Sequence, residues 1–157
     1  MRTCLCLIRR HRPAGAEVLL GLKKAGFGEG KWVGLGGHIE YGEKPAAAAV
    51  REVFEESSLV VPADSLQHMA SIEFRFPSRP SWDQTAEVYM TWVFEGEAVE
   101  SNEVSPRWFA EEQLPLGLMW DDAKYWLPAV LAGQHVDVRI TFADDCATVA
   151  SIEPPLA

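Results

Sequence analysis

The sequence predicts an α/β fold in which helices pack on a mixed β-sheet. Three observations carry this expectation. Apolar, strand-like segments recur along the chain, two segments (Pro45–Glu56 and Asp121–Leu131) have helix-forming character, and no internal repeat or linker separates them. With 157 residues, 48% hydrophobic and 24% charged, the chain suits one globular domain over 1–157 with a real core.

Taken in order, Thr3–Arg9 and Val18–Leu22 read as strands joined by a Pro13-Ala14-Gly15 turn suited to a hairpin. Cys4 and Cys6 are two residues apart and fall on one face of the first strand. Seven glycines then lie between Gly26 and Gly42, too many for a regular element and too few for a low-complexity linker. This stretch reads as a shaped loop. In the Pro45–Glu56 helix the proline sits in the first turn, where no donor is needed, with alanines behind it. The helix is expected to end near Ser57-Ser58. At about 100° per residue Glu52, Glu55 and Glu56 form one stripe and Ala47, Val50 and Phe54 cluster opposite, which predicts one buried face and one carboxylate face. His68–Phe76 and Ala86–Phe94 read as strands around a Pro77–Trp82 loop. Pro106–Phe109 suits a short strand and Glu111–Leu114 a turn of helix. Asp121 or Asp122 suits the N-cap of the second helix. His135–Phe142 alternates as a strand should, Ala147–Ile152 is its expected partner, and Pro154-Pro155 marks a frayed end.

Composition excludes several functions. No apolar run approaches the roughly 18 residues of a membrane span, and Met1–Arg10 is too short and wrongly flanked for a secretory signal. A soluble cytoplasmic protein is expected. Cys4, Cys6 and Cys146 lack paired spacing, which argues against a disulfide framework or structural zinc. The formal charge of −9 argues against a nucleic-acid polymer as partner. An anionic substrate would then need metal ions as mediators. His11, His38, His68 and His135 are dispersed and are assigned no role.

Three glutamates on one stripe repel each other by a few tenths of a kcal/mol per pair. A Glu-rich helix face is most often solvated surface. Here, however, a glycine-rich loop enters the helix, and Gly36 and Gly37 can bring backbone carbonyls to the same stripe. Carboxylates, carbonyls and water are the hard ligands that Mg²⁺ or Mn²⁺ selects, with positions left open for phosphate oxygens.

Gly37, five residues, Glu43, seven residues and then Arg51-Glu52-Val53-Phe54-Glu55-Glu56-Ser57-Ser58-Leu59 resembles the Nudix box. One position departs. Ser58 stands where the family has glycine, and it should bend the helix exit differently at modest cost. The resemblance implies a Nudix α/β/α sandwich with a loop–helix–loop catalytic motif, cleaving a diphosphate linked to another group. It also implies that Glu52, Glu55 and Glu56 hold Mg²⁺, with Mn²⁺ possible, assisted by a Gly36 or Gly37 carbonyl. Arg51 would orient the catalytic glutamates and Glu43 would brace the loop.

Gly21–Gly28, Lys31–Gly37 and Met119–Trp126 are similar to the MutT-homologue branch of that family, the oxidised purine nucleoside triphosphate diphosphatases. In Glu100-Ser101-Asn102-Glu103, Glu103 aligns best with the branch's additional metal-site glutamate, a metal or general-base role. The resemblance implies a base pocket lined by Thr3, Lys23, Phe27, Leu35, Phe74, Trp120 and Asp122, with Trp120 stacking on the purine and Asp122 accepting from its edge. Two pocket positions differ: Val33 replaces an asparagine that reads the purine edge, and Ala123 replaces a second aspartate. A valine neither donates nor accepts, so one base contact is missing or supplied elsewhere. The expected activity is Mg²⁺-dependent hydrolysis of 8-oxo-dGTP or a related purine nucleoside triphosphate to monophosphate and diphosphate. A nucleotide sugar, a dinucleoside polyphosphate or a pyrimidine nucleotide remains an alternative substrate, and a non-catalytic nucleotide sensor an alternative role. Monomer and homodimer both stay open.

Overall fold

The computed structural model describes residues 1–156. Nine strands and two α-helices alternate in the order β1 (Arg2–Arg12), β2 (Gly15–Lys23), β3 (Trp32–Val33), β4 (Leu35–His38), α1 (Pro45–Ser57), β5 (Gln67–Arg75), β6 (Gln84–Thr91), β7 (Val104–Ala110), α2 (Ala123–Leu131), β8 (Val136–Phe142) and β9 (Val149–Glu153). The sheet is mixed. Its order is β3-β2-β1-β6-β5-β8-β9, with β4 added to β1 and β7 added to β2. β1 lies parallel to β6 on one side and changes partner along its other side, pairing Thr3–Cys6 with β4 and Arg9–Arg12 with β2. The sheet therefore forks at β1.

Strand alternation divides the core into two layers. Cys4, Cys6 and Ile8 pack with Ala48, Ala49 and Val53 of α1, whereas Leu7, with Leu5 at its margin, packs with Trp126, Leu127 and Val130 of α2. One helix covers each face, which makes the α/β/α sandwich that the resemblance implied. At its far end β1 is tied to the C-terminus of α2 by Arg9. Its guanidinium grips Glu111 at 2.6 and 2.7 Å and donates to the Leu131 carbonyl at 3.0 Å, favourable for a cation at that end of a helix. Among the described residues no helix is long and apolar enough to cross a membrane.

Several expectations need correction. The glycine stretch is not all loop, because Trp32–Val33 and Leu35–His38 pair with β2 and β1. The strand from Ala86 ends at Thr91, where the Thr91 hydroxyl accepts the Val93 N–H. Asp122 occupies the N-cap position of α2, as expected, but its side chain does not cap: it turns inward to Trp126, while Asp121 accepts the Val149 N–H of β9. Ser58 adopts the left-handed conformation itself, φ 68°, and its N–H bonds the Phe54 carbonyl, so the exit is bent as a glycine would bend it, with strain in place of a new path.

The largest correction concerns α1. Its buried residues are Ala48, Ala49, Glu52, Val53, Glu56 and Ser57, while Ala47 lies in solvent and Phe54 is 55% exposed. Of the face expected to be buried, Ala47 and Phe54 point outward and Val50 is only half-buried, while two of the three stripe glutamates point in. Ordinarily a carboxylate is kept out of a core by its desolvation cost. Here β4 supplies a backbone donor and Arg51 a charge, which offset that cost.

Candidate active site

A cavity of about 560 Å³ runs from α1 and β4 to the N-terminal end of α2. At one end Glu52, Glu56 and Glu103 each bring a carboxylate oxygen within 4.8 Å of the others. The Gly36 N–H donates to Glu56 at 2.8 Å, so the observed contact is through that glycine's amide. Close approach requires glycine at Gly36, against the β1 backbone, and at Gly37 a side chain would displace the Glu52 carboxylate. A Cβ on Gly37 would stand 2.6 Å from the Glu52 carboxyl carbon, and one on Gly36 would stand 1.9 Å from the Cys4 carbonyl oxygen.

Arg51 holds this end in place. Its Nε and one terminal nitrogen fork onto Glu43 at 2.8 and 2.9 Å, and the other terminal nitrogen donates to Glu52 at 2.9 Å. The Glu43-facing nitrogen also donates to the His38 carbonyl at 3.0 Å, linking the helix to the end of β4. These hydrogen bonds hold the Glu43 carboxyl down to about 2. Burial raises Glu52, against the pull of Arg51, and pushes Glu56 up to about 8, helped by its neighbours Glu52 and Glu103. Glu55 stands apart from the three converging glutamates, exposed and 3.4 Å from Arg51.

The donor set fits a hard divalent cation. It is all oxygen, and two of its carboxylates are buried close together, where like charges disfavour ionisation unless a cation balances them. Cys4 lies beside this end, but burial keeps its thiol up at about 11, so it is not a competing thiolate.

At the other end the walls are aromatic. Phe27 stacks on Trp120 with centroids 4.9 Å apart and meets Trp82 edge-on at 4.9 Å, while Phe76 stacks on Phe142 at 4.6 Å. Gly26 and Gly28, both at positive φ, flank Phe27, and a Cβ on Gly28 would lie 3.0 Å from the Trp120 indole nitrogen. Asp122 is the one carboxylate here. It is 6% exposed, accepts the Trp126 indole N–H at 2.7 Å, and is pushed up to about 6 by burial.

Thr3, Lys23, Phe27, Val33, Phe74, Trp120 and Asp122, expected at a base pocket, all line this cavity, as do Gly36, Gly37, Glu52, Glu56 and Glu103. Leu35 does not. It is wholly buried among the α1-side core residues, because its neighbours on β4 alternate to the cavity face. Sequence reasoning missed Phe76, Trp126 and Phe142, which read as ordinary core. It also missed Gln84, His38 and Asn102, whose polarity carries no local signal of a site.

A sandwich with carboxylates at the glycine-strand and helix junction is the arrangement that the box motif implied. The sequence profile of the NUDIX domain matches residues 2–130, and the chain belongs to the Nudix family. It is 41% identical over 115 residues to an oxidized purine nucleoside triphosphate hydrolase of Danio rerio, covering 73% of this chain and 72% of that one. The Mus musculus protein of the same name is 40% identical over 128 residues, covering 82% and 80%. Among solved structures, the mutator MutT protein of Bacillus halodurans superposes with a TM-score of 0.78 at 20% identity over 99% of both chains. The NUDIX domain of Shewanella oneidensis NrtR, solved with ADP ribose, gives 0.67 at 16% identity over 85% and 86%.

Proposed function

We propose that this chain is a Mg²⁺-dependent nucleoside triphosphate pyrophosphohydrolase whose substrates are oxidised purine nucleotides, 8-oxo-dGTP first among them. The observation that carries this is one continuous cavity joining a three-carboxylate cluster to an aromatic chamber with a single buried carboxylate. The names of the Danio rerio and Mus musculus relatives support the choice of oxidised purines.

Glu52, Glu56 and Glu103 would hold the metal, and a bound divalent ion would neutralise the phosphate chain and make a water nucleophilic. Arg51, itself clamped by Glu43, fixes the Glu52 carboxylate in one orientation. Glu103 is exposed and is the carboxylate best placed to take a proton from water reaching the site. Lys23 lines the cavity and makes no ion pair among the described residues, leaving its charge for phosphate. Trp120 and Phe27 offer stacking surfaces, and Asp122 offers a carboxyl oxygen to the base edge. Cleavage next to the nucleoside-bearing phosphate would release the monophosphate and diphosphate.

The test is incubation of the protein with 8-oxo-dGTP, dGTP, dATP, dCTP, ADP ribose and a dinucleoside polyphosphate, with and without Mg²⁺, followed by product separation. Oxidised deoxyguanosine monophosphate and diphosphate are expected. Orthophosphate as first product, or no turnover of any compound, would overturn the proposal.

A further inference from the structure

The cavity floor is one face of the sheet, and strand register shows what stands on it. Phe74 of β5 pairs with Gln84 of β6, Ala86 of β6 pairs with Thr3 of β1, and Thr3 pairs with His38 of β4. Since side chains alternate along each strand, these residues stand on the same face, and all of them line the cavity. Gln84 is the neutral amide at the aromatic end. Its Nε2 reaches the Trp82 carbonyl at 3.3 Å, a long contact, and its Oε1 has no partner among the described residues. The Trp82 indole in turn stands edge-on to Phe27 and Trp120. The other polar groups nearby are partly spent: the Thr3 hydroxyl donates to the Thr85 carbonyl at 2.8 Å, and one Asp122 oxygen takes the Trp126 N–H. The Val33 and Ala123 side chains offer nothing polar.

We infer that Gln84 is the residue with which this pocket reads the purine edge, supplying from the floor the amide that position 33 lacks. A primary amide presents one acceptor beside one donor. Guanine shows two acceptors on its N7/O6 edge, so an amide matches it poorly. Guanine oxidised at C8 carries hydrogen on N7 and keeps O6, a donor beside an acceptor. Oε1 then accepts from N7–H while Nε2 donates to O6. With ordinary guanine, Oε1 faces the N7 lone pair.

The inference rests on the cavity being a purine nucleotide site, and the test separates the two. Dissociation constants for the monophosphates of 8-oxo-deoxyguanosine and deoxyguanosine are measured by tryptophan fluorescence in the wild type, Gln84→Met and Gln84→Glu, with thermal melts on each. The wild type should prefer the oxidised nucleotide, Gln84→Met should lose roughly tenfold or more of that preference, and deoxyguanosine monophosphate should change less than about threefold. Gln84→Glu keeps the N7–H acceptor but opposes O6, so it should weaken the oxidised nucleotide while keeping its size in the pocket. A preference ratio within about twofold of wild type in both variants overturns the assignment of Gln84 and leaves the nucleotide site standing. A wild type that binds both nucleotides equally also overturns it, and one that binds neither overturns the functional reading as well.

Discussion

At the carboxylate end of the cavity Glu43, Arg51, Glu52, Glu56 and Gly36 hold one another through directional bonds of 2.8 to 2.9 Å. At the aromatic end Phe27, Trp82 and Trp120 meet only through ring faces and edges, with centroids 4.9 to 6.4 Å apart. The first kind of contact tolerates little change in length, angle or charge, whereas the second depends mainly on area and shape. Chemistry placed at the first end is therefore rigidly specified. Recognition at the second tolerates apolar side chains such as Val33 and Ala123 among its lining.

The sharpest way to break this contrast is to remove one charge from the carboxylate end without changing its shape. Glu52→Gln and Glu56→Gln should each lower kcat/KM by on the order of a hundredfold or more while the circular dichroism spectrum stays native. If both variants stay within about threefold of wild type, the metal assignment fails.

At the aromatic end the buried charge should act on stability through pH. Burial raises Asp122 from an ordinary 3.8 to about 6, so the folded state resists its ionisation. The wild type is free of that penalty below about pH 4 and bears it fully above about pH 6. Asp122→Asn keeps an oxygen for the Trp126 N–H and carries no charge. The variant should match wild type near pH 4 and be more stable by up to about 3 kcal/mol near pH 8. Denaturant titrations at both pH values measure this, and a gap independent of pH would contradict it.

Removing the stacking surface should be milder and less selective. Trp120→Ala should weaken nucleotide binding by roughly 1–3 kcal/mol, with similar losses for different bases. A loss confined to one base in a calorimetric panel would show Trp120 reading an edge. The smallest effect lies outside both ends, at the helix exit. Ser58→Gly relieves a left-handed residue and should raise stability by about 1 kcal/mol with kcat/KM unchanged. A lower melting temperature would mean that the serine is not strained there.

Local signals in the sequence determined a good deal on their own. Proline and alanine placement located α1 and, with the motif spacing, Glu52 and Glu56 of the converging cluster, though the same spacing also picked Glu55, which stands apart; alternation located β8 and put Cys4 and Cys6 on one face. Those features depend on residues close in sequence. What the tertiary structure alone decided is what each stripe packs against. Helical spacing grouped Glu52 with Glu56 but put the buried face of the helix opposite them, because an isolated carboxylate is costly to bury. The Gly36 N–H, 20 residues before Glu56, meets it only after β4 has paired with β1. In the same way Leu35 went to the core, and His38 and Gln84 to the cavity floor, because strand register set the face on which each stands. Register is a property of pairing between distant segments, and no window of sequence contains it.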